Sequence, residues 1–590
     1  MATNALTTSS INSLVSDYIT SEQSKRITPL TNKKTKYQNL VSSYSALSSK
    51  LDSLKTLLTD LKSSASSSIY YSKTGTSSNT NFVSVASSTG AVDGSYSLRV
   101  NQLAKNDLVL SSDLNTNDAS TVITSAGTHE FTIKTGDGSG GEYTSKVSVT
   151  FDASDFTAGV ISNSKVMQKI QSAVNSDTAA ITSSSVTGST ASSGSFVIDI
   201  GGTETTINYS AGTYSDVIDS IVTQLNNIGG LTVQKVVDGS NYQLNFTVND
   251  TSKYVTLKSD TGTLLTELGL NAVTKEKGAS GVVTASVFTP STGLSQFSLT
   301  AKTSGNDYRI TSLTDTASNN ALNSIGLNLG ASRTSYVQNT SGADTPGYVY
   351  ATTALNSKFE FNGINIERNS NTITDLITGT TVTLNSIMQA TDTTVNVSVT
   401  KDVATIKKKI EDFITKFNDV YSYIKSNSKT SGETRGVFLG DATASSLITT
   451  LNDAAYKTVS GIPSSQLNSL SKIGITFNID SGLTLSNSTT FEDAVKTKSD
   501  EVVSLFTTST NGIAASLYDK VNPYLGSSGY LIKSQQTYNN TITTLTDSIT
   551  SAQKRIDKSA GVLRSRYIQL QTQLAQLYSS QSYFSFTSSS

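Results

Sequence analysis

A chain of 590 residues exceeds what one hydrophobic core supports, so several domains are expected. Lys+Arg 44 against Asp+Glu 45 gives no overall basic footprint for nucleic acid or an anionic membrane, and no apolar run reaches the ~18 residues that span a bilayer. Cysteine is absent and His129 is the single histidine, which excludes disulfides, thiolate metal sites, Cys nucleophiles and clustered His/Cys metal ligation.

The chain opens with MATNALTTSSINSLVSDYI, which has no basic segment ahead of an apolar run and does not read as a cleavable signal. Residues 1–30 read as a flexible tail. The first 25 are rich in Ser and Thr and are expected to lack fixed structure alone. Their apolar groups Ile11, Leu14, Val15, Tyr18 and Ile19 would then dock on assembly.

From Leu30 the spacing turns heptad. Leu30, Tyr37, Tyr44, Leu51 and Leu58 share one position, and Leu40, Leu47, Leu54 and Leu61 share the other. A stripe that narrow stabilises a helix only against a partner.

Roughly from Ile69 to Thr400 the chain is β-rich, with strands broken by Gly, Asn and Ser. Two stretches share one plan. SFVIDIGGTETTINYSAGTYSDVIDSIVTQLN places alternating strands around Gly201-Gly202, then a helix opened by Thr213 with Asp216 three residues on. FEFNGINIERNSNTITDLI does the same around Asn362-Gly363, with Thr372 and Asp375 at the matching helix start. In LTELGL, LNSIGL and LSKIGI a short helix is expected to end at a left-handed Gly. GDGSGG at 136–141 formally matches a dinucleotide loop, but both flanks read as strands, so a hairpin loop is expected.

Beyond Thr400, Ile406, Ile410, Phe413, Phe417, Val420 and Ile424 mark another helix. The C-terminal segment repeats Ile542, Ile549, Ile556, Leu563, Leu570 and Leu577 every seven residues. Its second row is poorer: Leu545, Ala552, Ser559, Arg566 and Gln573. Packing within one bundle is the expected role of the inner parts of these helices, and contact between molecules the alternative. Because the row is longer than the N-terminal helix can cover, it is expected to form an oligomer contact, together with Tyr37, Leu40, Tyr44 and Leu47. Residues 579–590 read as a second flexible tail, with Tyr583, Phe584 and Phe586 as docking groups.

The expected architecture is α+β and multidomain. A discontinuous coiled-coil or helical-bundle domain, 31–68 with 401–578, draws on both termini. A β-rich domain, 69–110 with 351–400, flanks one or two inserted β-rich outer domains within 111–350. No motif supports catalysis, a metal or a cofactor, so a non-enzyme is expected.

GSYSLRVNQLAKND at 94–107 and FEFNGINIERNSNTITDLITGTTVTL at 359–384, with INSLVSDYITSEQSKRITPLTNKKTKYQNL, LSKIGITFNIDSGLTLS and LYSSQSYFSF, resemble the bacterial flagellar filament cap family, the flagellar hook-associated proteins two. The resemblance covers about the first hundred and the last 240 residues. It implies a homo-oligomeric ring at the distal filament tip, with helical legs in the filament end and a β-rich plate above. It also implies folding and insertion of exported flagellin beneath that plate. Hook-filament junction proteins and a cytoplasmic export chaperone are further implied partners, and export by the flagellar type III route without a cleaved signal is the implied path to an extracellular address. Alternative readings are a flagellin or junction protein, or a surface adhesin whose outer domains bind glycans.

Overall fold

The computed structural model describes residues 6–190, 192–271, 273–340, 342–431 and 434–587; the side chains of 431, 434 and 583–587 lie outside the description. Pro29, with its fixed φ, opens the helix Thr28–Leu61 in its first turn, and the next ordered turn of chain closes it. There Tyr70 donates its hydroxyl to the Leu61 carbonyl at 2.8 Å, satisfying one of the acceptors a helix end leaves open. Leu40, Tyr44, Leu47, Leu51, Leu54, Leu58 and Leu61 are all buried. Against them lie Ile406, Ile410, Phe413, Phe417, Val420 and Ile424 of the helix Val403–Asn427, which starts where the Asp402 side chain accepts from the Thr405 amide at 2.9 Å. These two helices and the long C-terminal helix Tyr530–Thr587 belong to one compact unit, Met1–Thr74, Ser88–Ala91 and Thr400–Ser590. Gly75–Ser87 and Val92–Val399 form the other. Helices from both ends of the sequence and a β-rich middle make the fold α+β, as expected.

A tyrosine–carboxylate pair is built into the edge of the helical core. Tyr44 donates its hydroxyl to the Asp441 carboxylate, 2.7 Å from each oxygen. Asp441 also caps the helix Ala442–Ala455 through the Ala444 amide, 2.9 Å away. Burial, then the adjacent carboxylate, pushes the Tyr44 phenol far above its ordinary range, so it remains a donor at any physiological pH. Tyr44→Phe is expected to cost about 1–3 kcal/mol, because the carboxylate loses a donor in a dry setting. The urea midpoint of the full chain checks this; an unchanged midpoint would show that the hydroxyl is dispensable.

Within the β-rich unit, strands Ser357–Phe361 and Ile364–Arg368 pair antiparallel, with Phe361 opposite Ile364. The turn between them holds Asn362 at φ 49° and Gly363 at φ 80°, the doubly left-handed geometry a two-residue hairpin requires. Asn362 Oδ1 accepts from the Ser97 amide at 2.9 Å and ties the turn to the next strand, Gly94–Gln102. The helix expected at Thr372 is not formed. Thr372–Ile377 is a strand paired with Thr380–Leu384, with Ile373 and Ile377 buried and a register irregularity between them. β-branched Thr372, Ile373 and Thr374 favour the extended chain, and Asp375 pairs with Arg368 at 3.0 Å instead of capping.

The other copy of the plan folds as read. Strands Gly194–Ile200 and Thr203–Tyr209 turn at Gly201-Gly202, and Thr213 caps the helix Tyr214–Leu225 by accepting from the Asp216 amide. Gly269, Gly326 and Gly474 all take positive φ at the ends of their short helices. GDGSGG is a hairpin loop between strands Gly127–Gly136 and Glu142–Phe151. Burial alone would raise the Asp137 carboxyl there. Lys275 at 2.5 Å and the Ser139 and Gly141 amides instead hold it well below the usual range.

Among the described residues, three clusters of buried side chains lie in this unit. One sits beneath the Asn362-Gly363 hairpin and joins Val83, Leu98 and Val100 to Phe359, Val382 and Val397. A second draws on Val109, on Ile123 to Val174, and on Ala279 to Tyr348. The third, Ala179 to Leu270, lies inside the sequence of the second. A seven-stranded sheet runs through both, in the order Thr203–Tyr209, Gly194–Ile200, Tyr254–Lys258, Glu276–Lys277, Glu142–Phe151, Gly127–Gly136 and Ile310–Asp315. Its middle joint is thin: Glu276 meets Thr144 in a single parallel bridge.

Candidate partner-contact surface

The contact residues read from the sequence fall mainly on the C-terminal helix, so its packing decides which remain available. Tyr538 stacks near Tyr37 and Tyr44, with ring centroids 5.6 and 5.8 Å away, and Leu545, Ala552 and Ile556 are buried further along. Gln23 then bonds Gln553 at 2.9 Å, Asn12 accepts from Arg564 at 2.7 Å, and the Leu6 carbonyl accepts from Gln571 at 2.8 Å. These pairs run antiparallel, so the helix Thr8–Arg26 lies along the second half of the C-terminal helix. Ile11, Val15 and Ala560 form a small core there, with Leu6, Tyr18, Ile19 and Tyr567 packed against it.

Several expectations are thereby corrected. Residues 8–26 are helical, not a tail without structure, because Ile11 and Val15 find a partner in their own chain. That burial removes both from the docking set and leaves Tyr18 and Ile19 half-covered; Leu14 stays 45% exposed. Leu40, Tyr44 and Leu47 are buried in the helical core, and Tyr37 is half-covered, so the N-terminal stripe offers no free contact face. On the C-terminal helix the poorer row supplies the buried Leu545 and Ala552, while Ile542 and Ile549 are half-buried. Tyr583, Phe584 and Phe586 lie outside the described side chains.

The seven-residue row then turns out of the contact. After Ala552 the covered positions step to Ile556, Ala560, Leu563, Tyr567, Gln571 and Leu574, alternating four, four and three. An eleven-residue repeat stays closer to the true helical period than seven does, and a strict heptad row drifts about 20° per repeat on a straight helix. Ile556 is accordingly 2% exposed, Leu563 half-buried, Leu570 42% exposed and Leu577 65% exposed. Val562, Ile568 and Tyr578, absent from the sequence-based set, are also exposed, on other faces of the same helix. The change of step from seven to eleven was the signal that the heptad row leaves the contact. Past Gln571 the helix continues to Thr587, beyond the last described residue of its antiparallel partner.

Among the described residues no cluster of three potential ligands could hold a metal, and no helix is long and apolar enough to cross a membrane. His129 sits half-buried on a strand, where Nδ1 accepts from the Asn320 amide at 3.3 Å and the ring meets Phe151 edge-on.

Residues 8–107 match the family model of the flagellar hook-associated protein 2 N-terminus, and residues 354–579 match that of its C-terminus. Together the two take in more than half of the chain, in the order and at the ends where both units begin and close. The chain belongs to the flagellar hook-associated protein 2 family. Among hook-associated proteins 2, the A-type protein of Pseudomonas aeruginosa is 26% identical over 373 residues, which are 60% of this chain and 74% of that one. The protein of Salmonella typhimurium is 28% identical over 240 residues, 39% of this chain and 50% of that one. A crystal structure of the D1-D2-D3 domains of the flagellar cap protein FliD from Escherichia coli aligns over 84% of this chain and 99% of its own, with 18% identity and a TM-score of 0.45. Residues 108–353 lie outside both family models, and there the nested second and third clusters sit.

Proposed function

We propose that this chain caps the flagellar filament as a closed ring of identical copies, and that exported flagellin folds and inserts beneath it. One observation supports the way it would be held: the apolar face of the C-terminal helix, which turns outward from Leu563 to Leu577 and runs past the described residues of its in-chain partner. A helix with an unmatched apolar stripe gains most of its stability from a partner helix. Identical copies joined head to tail either close or grow into fibres, and a tip cap requires closure. Leu563, Leu570 and Leu577 carry the contact in this reading, with Ile542 and Ile549 at its half-covered inner end. Leu14, Tyr583, Phe584 and Phe586 add docking groups toward the filament. The work is mechanical, without catalysis or cofactor. Hook-filament junction proteins and a cytoplasmic export chaperone complete the partners, and the flagellar type III route delivers the chain to the extracellular tip.

The test is Leu563→Asp with Leu570→Asp in the full chain, which places a carboxylate in each apolar contact at a cost of several kcal/mol. The double variant is expected to keep its helix content, lose rings in negative-stain images, and fail to restore filaments to a cap-deficient cell. Intact rings and normal filament growth would remove these residues from the contact. A wild-type chain that polymerises into filaments alone, or never restores growth, would overturn the capping role.

A further inference from the structure

Where the helix Thr8–Arg26 lies on the C-terminal helix, two adjoining cavities of about 330 and 250 Å3 share Tyr18, Lys558 and Ser559 and form one open groove. Its floor is apolar, from Ile556, Val562 and Leu563. Its rim is cationic, from Arg555, Lys558 and Arg566, all exposed. Among the described residues no carboxylate lies within ion-pair distance of these three. The one acid in the groove, Glu22, is held by Arg26 at 2.5 Å. Asp557, the only acid between Lys554 and Arg566, accepts from Gln553 at 2.7 Å. The chain as a whole carries a net charge of −1, so the excess of positive charge is local to this groove.

We propose that this groove docks an acidic amphipathic helix presented by another protein. The spacing carries the argument. Arg555, Lys558 or Ser559, Val562 and Arg566 follow one another at three or four residues, so the lined face extends about 16 Å, or three helical turns. A helix with an apolar stripe on the floor places carboxylates at its flanks within reach of both ends of that row, and partial desolvation strengthens each pair. A flat membrane surface cannot enter a groove between two helices, and a phosphate backbone leaves its apolar floor uncovered. The groove shares Leu563 with the proposed ring contact, but its cationic rim of Arg555, Lys558 and Arg566 takes no part in that contact, so substitutions of the rim test the groove separately from ring closure.

Fluorescence anisotropy of the full-length chain with a labelled peptide of about 18 residues, leucines on one face and glutamates on its flanks, tests it. The control peptide keeps the leucines and replaces glutamate by lysine. The glutamate peptide is expected to bind, more weakly at high salt, and the lysine peptide to bind at least ~10-fold less well. Arg555→Glu with Lys558→Glu should reverse that preference without changing the far-ultraviolet circular dichroism. Should the reversal disturb folding, Lys558→Gln should still lower glutamate-peptide affinity. Equal binding of the two peptides, or affinity unchanged in folded variants, overturns the proposal. So does tighter binding of duplex DNA or phosphatidylserine vesicles through the same residues.

Discussion

Asp107→Ala is expected to destabilise the β-rich unit by about 3–5 kcal/mol. The Asp107 side chain is fully buried, and its two oxygens take the Arg333 guanidinium at 2.6 and 2.9 Å and the Ile310 amide at 3.0 Å. Arg333 also donates to the Tyr350 carbonyl at 2.8 Å and stacks 4.2 Å above the Tyr348 ring. Removing the acid leaves a cation stranded among these groups, which costs far more than the pair contributes. Asp107→Leu with Arg333→Met should therefore be much less destabilised than Asp107→Ala alone. Urea unfolding of the three chains decides it. A single variant within 1 kcal/mol of wild type would show that water reaches the site.

Acidity should act on the joint between the nested clusters. Asp177 lies where the chain leaves the second cluster for the third, and its carboxylate accepts from the Ala279 amide at 2.6 Å where the chain returns. Burial pushes its pKa up to about 7, opposed by that amide and assisted by the charge of Glu276. Glu276 is raised too, chiefly by burial, although Lys146 sits 3.0 Å away. The sign follows from linkage: a carboxyl raised above its unfolded value of 3.8 favours the folded chain when protonated. That contribution is complete below the unfolded value and is lost as pH rises through about 7. Asp177→Asn keeps an acceptor for Ala279 and removes the charge. It should stabilise the chain at pH 8 by up to roughly 4 kcal/mol, and by much less near pH 4 to 5. Melting curves at the two pH values read the difference directly, and an equal effect at both would locate the Asp177 proton elsewhere.

The seam helices were legible because a narrow apolar stripe is a local property of sequence. Tyr44, Leu47 and Leu51 announce their common face without knowledge of the partner. The outward turn after Ala552 was not, because which row a helix buries depends on the neighbour it meets, and that neighbour lies more than 500 residues earlier. The same distance hid the groove: Tyr18 and Arg26 share nothing with Lys558 and Arg566 until two helices are laid side by side. Thr372 and Asp375 failed for another reason. A capping pattern competes with strand pairing, and β-branched residues beside a waiting strand tipped the balance. Near-neutral overall charge also concealed a surface whose positive groups are concentrated in a few helical turns.

The contact between Asp177 and Ala279 makes the third cluster a guest with a narrow doorway. The chain departs and returns at points one hydrogen bond apart, and a single bridge, Glu276 to Thr144, joins the guest's sheet to its host's. Whatever folds between those points needs only ends that lie close together. This stretch can lengthen, shorten or be exchanged for an unrelated domain while its host keeps its own core. It offers a place to graft cargo onto the chain without touching the terminal helices.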